Sequence, residues 1–196
     1  MWNDRFAVDH YVYGTEPNGF LADYVQHLPT GKVLSIGEGE GRNSVFLARQ
    51  GHQVSAIDGA ENGRKKALAL ASAHGVSLDY RISDLAEAEL GDGHWHGIVN
   101  IFCHLPPELM QDVHSRIVTA LAPGGVYLAE LYHPEQLAFG TGGPKNRDWL
   151  LSLAELQAQL PGLEWLHARE LERDVIEGEL HTGRAAVTQI VARKPA

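Results

Sequence analysis

The sequence predicts an α/β fold, a mostly parallel sheet flanked by helices and closed by an antiparallel hairpin near the C-terminal end. Three observations predict it. Short apolar runs alternate with helical patterns, with no internal repeat, as a chain of βαβ units requires. The strand pattern Val33-Leu34-Ser35-Ile36 runs directly into a glycine-spaced turn, Gly37-Glu38-Gly39-Glu40-Gly41, that opens a helix. Two long stretches near the end of the chain flank the turn residues Glu177-Gly178.

The elements follow in order. Residues 32–36 form the first strand, 43–50 a helix stopped by Gly51, 53–57 the second strand, and 61–74 a helix stopped by Gly75. Residues 78–82 and 97–102 are the third and fourth strands, separated by an acidic connector over 84–93. Over 107–121, Leu109, Val113, Ile117 and Leu121 recur every four residues and give one apolar helix face, which Pro123-Gly124-Gly125 ends. Residues 126–131 form the fifth strand. A helix over 152–160 opens on Ser152 and Glu155, spaced as a capping box, and closes at Pro161-Gly162. Residues 163–175 and 180–193 complete the hairpin.

Composition bounds the function. With 196 residues, 44% hydrophobic and 21% charged, the chain is expected to form one domain, residues 1–196. A single cysteine, Cys103, excludes an intramolecular disulfide and a cysteine-rich zinc site, which suits a reducing, cytoplasmic setting. No apolar stretch approaches the roughly 20 residues of a membrane span, and Met1-Trp2-Asn3-Asp4-Arg5 lacks the order of a signal peptide. A formal charge of −9 argues against nucleic acid and anionic membranes as partners. Small molecules are the expected partners, for a monomer or homodimer.

The glycine turn carries the chemistry. Its glycines let the backbone approach a ligand closely, and the helix behind it presents unpaired N–H groups. The spacing is G-x-G-x-G, whereas a dinucleotide fingerprint needs glycine where Arg42 stands, and Glu38 and Glu40 would repel a pyrophosphate. A neutral or cationic ligand fits better. Asp58 ends the second strand 21 positions after Gly37, where a carboxylate can accept from both hydroxyls of a ribose. A sulfonium cation is favoured by such acidic surroundings and by aromatic faces, which Tyr11, Tyr13, Phe20, Tyr132 and His133 supply near the strand ends. Each feature has a structural rival: the glycines as a tight turn, Asp58 as a helix N-cap, Asp84 as a turn cap. His94 and His96 lack a third ligand nearby, so no metal is expected. Cys103 and His104 are adjacent at a strand end, where neighbours usually point in opposite directions, which argues against a catalytic pair and leaves His104 as a candidate general base or substrate contact. The glycine-rich stretch 132–149 has the length of a substrate lid. Lys65-Lys66 and the charged run Glu170, Glu172, Arg173 and Asp174 read as solvated faces.

These residues resemble the class I S-adenosylmethionine-dependent methyltransferases, over nearly the whole chain. Tyr13-Gly14-Thr15-Glu16-Pro17-Asn18, Gly41-Arg42-Asn43 and the compact length are most similar to the tellurite-resistance and thiopurine methyltransferase-like group. The resemblance implies a Rossmann-like, seven-stranded, mostly parallel sheet with helices on both faces and a C-terminal antiparallel hairpin. It implies S-adenosylmethionine as cofactor, with Gly37, Gly39 and Gly41, and the adjoining Arg42 and Asn43, under its methionine and ribose. Asp58 and Gly59 would hold the ribose, Asp84 and Leu85 the adenine, and Asn100 and Ile101 the methionine through main chain. Tyr13 and Gly14, within a covering segment over residues 1–30, would close the site. Glu38 departs from the small residue common in the family, and would receive the methionine ammonium or point to solvent. His104, Tyr132 and His133 are the catalytic candidates. The implied reaction is in-line methyl transfer to a small molecule, and the lack of an obvious acid–base pair favours a soft thiol, selenium or tellurium nucleophile. The alternatives are a non-catalytic nucleoside-binding module and an NAD-type oxidoreductase.

Overall fold

The computed structural model describes residues 1–196. Two short helices come first, α1 (Trp2–Arg5) and α2 (Gly19–Tyr24), the second capped by the Asn18 side chain, which accepts from the Leu21 amide. Neither is anticipated by the sequence reading, because elements of one or two turns carry too little periodicity to register. Then follow β1 (Lys32–Ile36), α3 (Arg42–Arg49), β2 (Gln53–Asp58), α4 (Glu61–Ala73), β3 (Asp79–Ile82) and β4 (Trp95–Ile101). The chain ends with α5 (Pro107–Ala120), β5 (Leu121–Tyr132), α6 (Leu153–Gln159), β6 (Glu164–Glu177) and β7 (His181–Arg193).

The seven strands form one sheet in the order β3-β2-β1-β4-β5-β7-β6. The pairs β3–β2, β2–β1, β1–β4 and β4–β5 are parallel, whereas β7 runs antiparallel to both β5 and β6. Alternate strand residues enter opposite layers: Leu34, Ile98 and Tyr127 pack with Met110, Val113 and Ile117 of α5, while Val33, Val99 and Leu128 pack with Leu47 of α3 and Phe20 and Leu21 of α2. Strand order reverses direction between β1 and β4. At such a switch point the connections leave to opposite faces and open a crevice at the strand C-termini.

Two predicted boundaries are corrected. The buried face of α5 is Met110, Val113, His114, Ile117 and Ala120, not the row through Leu109 and Leu121. Leu121 has left the helix with extended torsions and pairs with Trp95 as the first residue of β5. The Pro123-Gly124-Gly125 break therefore lies inside a strand, at a register shift between Trp95 and Gly97; a β-carbon on Gly125 would lie 2.7 Å from the Trp95 carbonyl oxygen. The capping box is present, with the Ser152 amide donating to Glu155 Oε2 at 2.8 Å and the Glu155 amide to Ser152 Oγ at 3.3 Å.

Candidate functional site

The C-terminal ends of β1 to β4 surround a cavity of about 290 Å³. Gly37 and Gly39 line it with φ of 60° and 64°, in the left-handed region that side chains avoid. A β-carbon on Gly37 would lie 2.4 Å from Cys103 Sγ, and one on Gly39 3.1 Å from the Phe6 ring. The turn is fixed by Gly37 and Glu38 amides donating to the Ile57 carbonyl at 2.8 and 3.3 Å.

Four acidic residues reach this cavity, and each is tied to backbone. Asp58 accepts from the Gly39 amide at 2.9 Å and the Ala60 amide at 2.8 Å, so it bridges the two connections between which a ligand would lie. Burial raises its pKa, and those backbone bonds oppose the rise. Glu38 is buried, accepts from the Ser44 amide at 3.0 Å and from the Ser35 hydroxyl, and its pKa is likewise raised by burial. Glu40 accepts from the Val12 and Tyr13 amides, both at 3.2 Å, and pairs with Lys66 at 2.7 Å; it anchors the N-terminal segment. Asp84 caps its own turn through the Ala86 amide at 2.8 Å.

The remaining charge is Arg42. Its Nη2 donates to Glu177 Oε2 at 2.5 Å, inside a buried cluster in which Asn18 bridges Glu130 and Glu177 at 2.9 and 2.8 Å and Arg173 contacts both acids. Its Nη1 is buried without a partner. Phe102, just past β4, holds φ at 56°, a strained value for a side-chain-bearing residue, and stacks on Tyr132 with ring centroids 4.3 Å apart. A second cavity, of about 650 Å³, shares Trp2, Tyr13, Phe102, His104 and His181 with the first.

Residues 33–125 match the family model described as a methyltransferase domain. A curated relative, the 2-heptyl-1-hydroxyquinolin-4(1H)-one methyltransferase of Mycobacteroides abscessus, is 27% identical over 117 residues, 58% of this chain and 52% of its own. The chain spans about half the length of that relative. Among solved structures, TehB from Haemophilus influenzae superposes with a TM-score of 0.77 at 20% identity, over 99% of this chain and 67% of that one. The N-methyltransferase NodS from Bradyrhizobium japonicum, in complex with S-adenosyl-L-homocysteine, gives 0.72 at 14% identity, over 100% and 97%. Residues 33–125 carry a methyltransferase domain, set in the fold shared with TehB and NodS.

The cavity fits S-adenosylmethionine. Gly59 faces open space where a β-carbon would stand, Asp58 and Asp84 retain free lone pairs, and the unpartnered Arg42 Nη1 lies beside a lining that is otherwise acidic. Of the residues expected to bind it, Tyr13, Gly37, Glu38, Gly39, Arg42, Asn43, Asp58, Gly59, Asp84, Leu85 and Ile101 line the cavity. Three do not. A β-carbon on Gly41 would lie 2.5 Å from Ala67 Cβ, so Gly41 lets α3 pack on α4. Gly14, at φ 73°, faces the Gly178 amide. Asn100 is fully buried, and its Oδ1 accepts from the Cys103 amide at 3.1 Å to hold the turn after β4.

The catalytic candidates are reassigned by their surroundings. His104 lines the cavity, but Nε2 accepts from the Tyr132 amide at 2.9 Å and Nδ1 lies 3.0 Å from the Phe102 carbonyl, which makes Nδ1 the protonated donor. Both ring nitrogens are taken by backbone, and burial pushes the pKa down to about 4; His104 braces β4 against β5 and is no base. Tyr132 is buried beneath Gly142 and Gly143, with a hydroxyl that has no partner. His133 accepts from the Glu135 amide at 3.2 Å and faces Glu135 and Glu170, away from either cavity. His96 Nδ1 accepts from the Lys32 amide at 3.2 Å, a structural use for one of the paired histidines. The sequence reading missed Trp2, Phe6, Phe102 and His181 as lining residues. No local signal marks them: His181 opens β7, and only the insertion of β7 beside β5 carries it to the strand ends.

Proposed function

We propose that the protein transfers the methyl group of S-adenosylmethionine to a small-molecule acceptor, in the cavity at the ends of β1 to β4. The observation that carries this reading is Asp58, half-buried at the end of β2 and bonded to Gly39 of the glycine turn, so that a ribose-binding carboxylate and the turn form one cradle. Asp58 and Gly59 hold the ribose, Asp84 and Leu85 the adenine, Gly37, Gly39 and Arg42 the amino-acid end. Residues 1–30 cover the cofactor through Trp2, Phe6 and Tyr13, and residues 132–149 form the lid over the acceptor. When bound, the cofactor supplies an electrophilic methyl: the acceptor's lone pair forms the new bond to carbon as the C–S bond breaks and its electron pair stays on a neutral thioether sulfur.

The chain's own part is to align and to exclude water, effects that reach about 7–11 kcal/mol in well-oriented reactions. The neighbouring histidine and cysteine side chains are not suited to act as a base: His104 is bonded on both nitrogens, the Cys103 thiol is pushed up to about 12 by burial, and His181 is pushed down to about 3, too weak a base to take a proton from an acceptor. An acceptor that arrives ionised needs none, which favours a soft nucleophile, a thiolate or a selenium or tellurium anion. That the Mycobacteroides abscessus relative is named for a hydroxyquinolinone supports a small organic acceptor.

Isothermal titration with S-adenosylhomocysteine and S-adenosylmethionine tests the cofactor, with NAD as control and Asp58→Asn alongside. Micromolar binding of both, weakened at least about tenfold by the substitution, is the expected result. Tighter binding of NAD would make the protein an oxidoreductase, and silence with all three would return the glycine turn to plain structure. Cofactor binding without turnover of any thiol, phenol, selenite or tellurite would leave a nucleoside-binding module.

A further inference from the structure

The second cavity is large enough, at about 650 Å³, for a drug-sized organic molecule and far larger than an oxyanion needs. Aromatic rings dominate the part that adjoins the first cavity: Trp2, Tyr13 and Phe102, with Trp149 also in the lining. Its charge runs against that of the whole chain, which is −9: Arg5 and Lys145 line it against one carboxylate, Glu179, which already faces His10 at 3.2 Å. The polar side chains in its wall are engaged elsewhere. Gln136 bonds Thr141, the Gly142 carbonyl and the Ala186 amide, and Thr141 donates to the Arg184 carbonyl.

His181 is the exception. It stands where the two cavities meet, its ring 4.5 Å from Tyr13 and edge-on to Phe102 at 5.1 Å, with no hydrogen bond from its side chain. Nδ1 is sealed from solvent without a partner, so Nε2 is the polar atom left for a ligand. Burial, with Arg42, His104 and Arg5 nearby, pushes its pKa down to about 3 and keeps the ring neutral. A neutral ring carries one proton, and placing it on Nε2 avoids a stranded N–H at Nδ1.

We propose that this second cavity is the acceptor site and takes a planar aromatic molecule bearing a heteroatom anion, an arenethiolate or aryl oxyanion, with its ring among Tyr13, Phe102 and Trp149 and its charge met by the Nε2–H of His181. The assignment rests on the methyltransferase reading above and names its acceptor. Arg5 and Lys145 favour the ionised form, so the acceptor loses its proton to solvent before it is methylated and no base is required. Offset and edge-on ring contacts favour a flat ring over an aliphatic chain of equal charge.

The test uses the full chain saturated with S-adenosylhomocysteine and two probes, 4-nitrophenol and 4-nitrothiophenol, whose anions absorb visible light. At a pH one unit below the pKa of 4-nitrophenol, binding is expected to raise its anion absorption; 4-nitrothiophenol, already ionised at that pH, is read from the shift of its anion band, and hexanoate at equal concentration is expected to displace neither. His181→Phe, which keeps the ring packing, is expected to weaken probe binding at least about tenfold while S-adenosylhomocysteine affinity stays unchanged. Trp149→Ala, at a residue outside the cofactor cavity's lining, is expected to weaken it as well. Cofactor binding with no probe binding, with equal displacement by hexanoate, or with undiminished binding to His181→Phe overturns the acceptor assignment and leaves the cofactor reading intact. Failure of S-adenosylhomocysteine itself to bind removes that reading and the acceptor site with it.

Discussion

Gly37 keeps a φ of 60° with Cys103 Sγ where its β-carbon would be, so Gly37→Ala meets backbone strain and a clash together. It is expected to cost roughly 2–4 kcal/mol by chemical denaturation and to abolish cofactor binding; Cys103→Gly in the same chain, by clearing Sγ and Cβ, is expected to recover part of the stability. Tyr132 makes the opposite case. Its hydroxyl is buried and unpartnered, so Tyr132→Phe is expected to be neutral or slightly stabilising and to leave methyl transfer unchanged; a loss of more than about tenfold in kcat would reinstate it as a catalytic group. Gly37, Gly39 and Asp58 were legible as residues lining one crevice because a turn and a strand end at fixed spacing are local features, whereas Gly41 packs α3 on α4 instead. His104 was misread because nothing in Phe102-Cys103-His104 foretells that the Tyr132 amide, from another strand, would occupy its second nitrogen.

At the scale of elements, the N-terminal segment and the β6–β7 hairpin are held to the glycine turn by charge. Glu177, at the end of β6, binds Arg42 of α3 and Asn18 ahead of α2. Glu177→Gln leaves two guanidinium groups short of a carboxylate and is expected to lower stability by about 3–5 kcal/mol, read from the shift in denaturation midpoint. Glu40 does the same for the cover: Glu40→Gln removes the Lys66 pair and weakens the Val12 and Tyr13 anchors. Limited proteolysis is expected to cut that variant within residues 1–30 faster than the native chain, with cofactor protecting both. Equal cleavage rates would show that Glu40 does not fasten the segment. The strands and longer helices were readable because burial imposes periods of 2.0 and 3.6 residues on sequence; the two short N-terminal helices and the end of α5 were not, since tertiary pairing of Leu121 with Trp95 decides where that helix stops.

Over the whole molecule, three histidines, His114 buried and His104 and His181 half-buried, set the response to acid. Burial pushes His104 and His114 down to about 4 and His181 to about 3, from an ordinary value of 6.5. Between pH 6.5 and 4 the unfolded chain binds protons that the folded chain refuses, so stability falls as pH falls, by up to about 1.4 kcal/mol per pH unit for each such group. Glu38 and Asp58, whose pKa values burial raises, act in the reverse sense and offset part of the loss. Thermal melts at pH 7, 6 and 5 are expected to show a descending midpoint, and His114→Phe to flatten the descent; a flat series in the native chain would show that these rings titrate normally. Local physics is written along the chain as alternating apolar periods, helix caps, the glycine turn and the acid after the second strand. Which side chains meet at the end of the sheet is set by packing between distant segments. Placing β7 beside β5 brings His181 across to Tyr13 and Phe102, and placing β5 beside β4 turns His104 into a brace on the Tyr132 amide, because burial and partner atoms, which come from distant parts of the chain, decide what each titratable group can do.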